Sequence, residues 1–200
     1  METNVLVLHG LAVRKAGTAE QVAAALGIDV DLVRQTLDEA VIVEEVVGAN
    51  GMYMLSTVGR AKLDGAYPTV YAEVRVDDDF LAAADRFEVL NAKLLDLLTR
   101  WQTIRQAGIT VPNEHIDLSY DTKIINELGE LHDRSELVLN RLSVKLLRYK
   151  IYATRLAASY DKVLAGEIDF VSGVRVDSYH LVWHELHEDL LRVCGRTRQE

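Results

Sequence analysis

The stretch Asp177–Leu191 holds His180, His184 and His187, three of the chain's six histidines. On a helix turning about 100° per residue, they share one narrow sector with Leu191, while Val182, Leu186, Leu190 and Val193 form a separate apolar one. His180 and His184 stand at i and i+4, a spacing from which two imidazoles can reach one metal ion. Asp177 and Glu188 lie on the same side, and His115 or Asp117 could arrive from a loop. The histidines of "HELHE" are three positions apart rather than four, so this is not the metalloprotease signature. Plain surface or packing histidines are the commonest meaning of such a face, a hydrogen-bonding pocket the next and a metal the least. No metal or other cofactor is therefore expected.

A second row is basic. Arg134, Arg141, Lys145, Arg148 and Arg155 recur at helical spacing, with Tyr152 among them, provided that the segment is one continuous helix. Guanidinium groups bind carboxylate and phosphate oxygens through paired hydrogen bonds, so such a row could hold a small anionic ligand or an acidic partner. Its commoner meaning is a solvated face with exchangeable ion pairs. The lone Cys194 in "RVCGRTR" reads as a helix-end residue, and no nucleophile, base and orienting group match by spacing, so no enzyme is expected.

The elements that would carry these residues follow from the rest of the chain. Its 200 residues, 49% of them hydrophobic, suffice for one good core or two small ones. No segment approaches the run of about 20 apolar residues that spans a bilayer, and the start lacks a basic region leading into an apolar run. A cytoplasmic protein with no membrane contact is expected. The net charge of −9 opposes any general attraction to nucleic acid.

Residues 4–16 pattern as a short buried helix. "TAEQVAAALG" carries a capping box, Thr18 with Gln21, and closes at Gly27. Asp29 then starts a second helix with Val30, Val33 and Leu37 on its apolar side. Two β-rich runs flank Asn50-Gly51, the dipeptide of tight hairpins, and Ser56 or Thr57 begins another helix. Gly65 and Pro68 are expected to break that helix. Beyond it, four helical patterns suggest a bundle. The first buries Phe87, Leu90, Leu94, Leu97, Leu98, Trp101 and Ile104. The second runs from about Thr122, and Gly129 is a point at which it could be interrupted. The third closes at Gly166, and the fourth, the histidine helix, starts at Asp177 or Ser178. The expected fold is mainly α: a winged helix-turn-helix over residues 1–66, a linker over 67–80 and a helical bundle over 81–200.

With its hairpin wing and the ending "LSTVGR", the first third resembles the winged helix-turn-helix of MarR-like transcription regulators. The resemblance implies DNA contacts from Arg34 and Gln35 in the major groove and from Arg60 and Lys62 on phosphates, made by a homodimer. The residues themselves resist this. Asp29, Asp31, Asp38 and Glu39 share the recognition helix, and "GANG" at the wing tip has no arginine, so on charge alone a winged helix that docks a protein is an equal reading; taken with the resemblance, a transcription regulator is the first expectation and a docking protein the alternative.

Three further patterns, "TRWQ", "VPNEHID..YD" and "DSYHLVWHELHEDLL..CGR", are similar to a helical region of actinobacterial proteins. These either stand alone as MarR-like regulators or are joined to phosphoenolpyruvate-utilising dikinase-like enzymes. The matching motifs hold Trp101, Asn113, His115, Asp117, Tyr120, Tyr179, His180, Glu185, His187 and Glu188, and the resemblance also takes in Arg148, outside these three patterns; at His184 the family pattern carries an aromatic residue instead. The resemblance and the basic row together nominate Trp101, Asn113, His115, Arg141, Arg148, Tyr179, His180, His187 and Glu188 for ligand binding. With no glycine-rich phosphate loop and no phosphohistidine motif, the chain would serve such an enzyme as an accessory subunit rather than transfer phosphoryl groups itself.

Overall fold

The computed structural model describes residues 2–106 and 108–197. The protein is mainly helical, as the periodicity predicts, with small antiparallel sheets. It divides into two compact units: the described residues up to Leu81 together with those from Glu185 onward, and Ala82–His184.

The first unit begins with α1 (Thr3–Arg14), β1 (Ala16–Gly17), α2 (Ala19–Leu26) and α3 (Val30–Ile42). The strands β2 (Val46–Ala49) and β3 (Met52–Leu55) and helix α4 (Thr57–Val70) follow. Local chemistry sets each boundary. Thr18 and Gln21 form both bonds of the capping box, and Gly27 ends α2 at φ 65°. The Asp29 carboxylate accepts the amides of Asp31 and Leu32 at the start of α3, and Ser56 caps α4 by accepting from Gly59. Asn50 and Gly51 both take positive φ, as a tight hairpin turn demands. The three strands are ordered β1-β3-β2, with Val47 opposite Met54 and Gly48 opposite Tyr53. Val7, Leu8, Leu11, Val22, Val33, Leu37 and Leu63 fill the core.

Helix α4 runs through Gly65 and Pro68, where a break was expected, and ends only at Val70. Pro68 lacks the N–H that would reach the Asp64 carbonyl, but so close to the helix end this forfeits a single bond. A 3-10 turn over Val74–Val76 leads into α5 (Asp78–Gln102), so most of the expected linker is helical.

The second unit takes most of α5, then β4 (Thr103–Gln106), β5 (Ile109–Pro112), α6 (Leu118–Lys145), α7 (Tyr149–Leu164), α8 (Asp169–Ser172) and the start of α9 (Tyr179–Cys194). Three expectations are corrected here. Ile104 lies in a hairpin rather than on α5, because β-branched residues flank the turn at Gly108, whose φ is 86°. Helix α6 starts at Leu118, capped by Asp117, and is unbroken at Gly129, where the Tyr160 hydroxyl occupies the place a Cβ would take. The basic row is not one helix: it breaks at Leu146–Arg148 between α6 and α7. The histidine helix begins after Ser178, whose hydroxyl accepts the Leu181 amide.

Candidate functional site

On α3 the buried positions are Val33, Thr36, Leu37 and Ala40. The opposite face therefore centres on Asp31, Gln35, Asp38 and Ile42, with Leu32 and Glu39 on one flank and Arg34 and Val41 on the other. Arg34, the one cation on this face, is shared between Glu20 Oε1 at 2.6 Å and Asp31 Oδ1 at 2.9 Å. Its hydrogen bond to Glu20 raises the guanidinium pKa further. The Glu20 carboxyl is held below its ordinary value, first by a backbone hydrogen bond and then by Thr18 and Arg34. Gln35 donates to Glu39 at 2.9 Å. The Tyr53 hydroxyl of β3 donates to Asp38 at 2.8 Å, which raises its pKa and ties the hairpin to the helix. Lys62 meets the carboxylate of Glu45, and Arg60 is exposed.

Three of the four side chains expected to contact DNA thus lie against carboxylates. From Val46 to Gly59 the chain has no charged residue at all. The pairing of Val47 with Met54 and of Ala49 with Met52 puts these four side chains on one face of the hairpin, and Val47, Met52 and Met54 are about half exposed. Ile42 is 80% exposed and Val43 56%.

In the second unit, Trp101, Asn113 and His115 come together. Asn113 Nδ2 donates to the Trp101 carbonyl at 3.0 Å and to Asp121 Oδ1 at 2.9 Å, while its Oδ1 accepts the His115 amide. His115 Nδ1 stands 2.9 Å from Asp121 Oδ2, and its ring lies 4.3 Å from that of Trp101. A carboxylate only accepts, so Nδ1 carries the proton in this contact. His115 holds φ 57°, and Tyr120 donates to the Arg100 carbonyl. These bonds fasten the connection between β5 and α6. Asp121, buried and central, closes the "VPNEHID..YD" pattern but was not among the residues nominated from the sequence. The Asn113-x-His115 turn was the available signal, because asparagine side chains bond the backbone two residues on.

The other nominated ligand residues take separate places. Arg141 is exposed on α6, and Arg148 is buried with its guanidinium 5.5 Å over the Tyr149 ring. Tyr179 is buried with its hydroxyl 3.4 Å from His132 Nδ1, and burial raises its pKa. His180 is half-buried, which lowers its pKa. In the first unit His187 is buried and Glu188 pairs with Arg192 at 2.7 Å. This pair borders a cleft of about 460 Å³ lined also by Asp64, Tyr67, Arg75 and Arg196. Arg75 spends two nitrogens capping the carbonyls of Arg192 and Val193, and Arg192 faces both Glu188 and Asp64, so these guanidiniums are largely committed. Among the described residues no group of three His, Cys, Asp or Glu side chains is placed to hold a metal ion, and no helix is long and apolar enough to cross a membrane.

No protein-family model, curated protein or solved structure matches the chain.

Proposed function

We propose that residues 1–66 are a winged helix-turn-helix used to dock a protein, and that the helical second unit makes the chain an accessory or interaction subunit. The partner enzyme of the sequence resemblance, one that uses phosphoenolpyruvate, is the working candidate. The observation that carries this reading is the charge of α3: Asp31 and Asp38 occupy the centre of the face that would enter a major groove, and the one guanidinium beside them is already met by two carboxylates. Surface pairs of this kind are individually weak and exchange readily. The local excess of carboxylates does not exchange away, and it repels phosphate.

A second reading, a MarR-like regulator that binds DNA as a homodimer and responds to a small anion, has two observations in its favour. The element order α1-β1-α2-α3-β2-β3 supports a winged-helix reading, and Arg60 is exposed on α4. Fluorescence anisotropy against the duplex upstream of the protein's own gene and a random duplex, from about 50 to 200 mM salt, separates the two. Docking predicts no binding even at the lowest salt. Tight, sequence-selective, salt-sensitive binding that Arg34→Glu abolishes would replace it with the regulator.

A further inference from the structure

The exposed face of α3 carries more than repulsion for DNA. Asp31, Asp38 and Glu39 on α3 and the neighbouring Glu20 are set against the single Arg34, which pairs with Glu20 and Asp31 and leaves Asp38 and Glu39 to the neutral partners Tyr53 and Gln35. The last turn of α3 has no basic residue, so the negative end of the helix dipole adds to the same field. Set into this acidic field are apolar side chains in contact with water: Leu32, Ile42 and Val43. Tyr53, bonded to Asp38, joins the face to the uncharged hairpin.

We propose that this face docks a basic amphipathic segment of a partner protein. Lysine or arginine side chains of the segment lie against Asp31, Asp38 and Glu39, and its aliphatic side chains cover Leu32, Ile42 and Val43. Charge decides among the alternatives. Nucleic acid and anionic bilayers bring negative charge to a negative face, and a second copy presenting the same patch sets like charges opposite one another. Only a cationic segment gains from the field while it covers the aliphatic groups. The inference rests on the protein-docking reading above and specifies the chemistry of the partner.

The test uses the full chain and a fluorescent synthetic peptide of leucine and lysine in amphipathic helical order, with a leucine–glutamate peptide and a DNA duplex as companions. The leucine–lysine peptide is expected to bind and its acidic counterpart not to. Asp38→Lys/Glu39→Lys should weaken binding about tenfold or more. Ile42→Ser, which leaves the charge untouched, should weaken it severalfold. Reversing two exposed carboxylates elsewhere, Glu130→Lys/Asp133→Lys on α6, should change it less than about twofold. Circular dichroism verifies that each variant is folded; all the altered side chains are exposed. Equal loss in both charge-reversed proteins would show general attraction to an acidic chain and overturn the proposal. So would absence of peptide binding while the duplex also fails to bind. Tight duplex binding would overturn the docking reading itself.

Discussion

His180 is half-buried on α9, and burial holds its imidazole below the ordinary value of 6.5. The sign of the consequence is fixed by linkage: as pH falls below 6.5, the unfolded chain takes up this proton before the folded one does. Stability attributable to His180 is therefore constant above that value and drops as the pH falls toward the folded pKa. Urea unfolding at pH 7 and pH 5 should show a smaller acid loss for His180→Phe than for the parent; an identical loss would assign the acid sensitivity to other groups. Asn113 is the second residue to test. Its side chain serves the Trp101 carbonyl, the buried Asp121 carboxylate and the His115 amide, so Asn113→Ala should cost about 1–3 kcal/mol in urea unfolding. The sequence marked Trp101, Asn113 and His115 by motif. The role of Asp121, which closes the same motif, was out of reach because its partnership depends on a histidine at positive φ, which no periodicity announces.

At the scale of elements, two glycines act through what stands beside them. A Cβ on Gly59 would lie 1.9 Å from the Glu45 carbonyl oxygen, so Gly59→Ala must push the start of α4 off the end of the segment before β2. This should lower the melting temperature sharply. A Cβ on Gly129 would lie 2.3 Å from the Tyr160 hydroxyl, the far end of a side chain. Gly129→Ala should destabilise by about 1–3 kcal/mol, and Tyr160→Phe should recover part of that loss in the double variant; no recovery would place the strain elsewhere. The caps Thr18, Asp29 and Ser56 and the Asn50-Gly51 turn were legible because each is set by bonds within four residues. The β4–β5 hairpin was not, since "TRWQTIRQ" continues a helical pattern and only pairing with "ITVP" makes it a strand.

At the scale of the molecule, the first unit is closed by the end of the chain. Glu185 of α9 meets Arg14 at 2.6 Å with both side chains buried, and Asp189 stands 3.2 Å from His9, which also bonds the Tyr67 hydroxyl at 2.9 Å. Removing one member of a buried pair leaves the other charge without compensation, so Glu185→Ala should cost about 3–5 kcal/mol. A chain truncated after His184 should lose the cooperative unfolding of the first unit while residues 82–184 keep theirs, as two transitions in calorimetry would report. A single unchanged transition would show that residues 185–197 are dispensable.

By itself the sequence determined the helical class, the caps, the first hairpin and the acidity of α3. These are local matters: each depends on spacing along the chain, on one side chain bonding a nearby amide, or on charges counted on one face. Tertiary structure alone decided that α4 passes Pro68, that the basic row is broken, and that the C-terminal helix shares its buried charges with α1. It also decided that Trp101, Asn113 and His115 meet on Asp121. Burial of a charge or an amide is settled by what packs against it, and for His9, Arg14 and Asp121 the partner that offsets the lost hydration comes from another element.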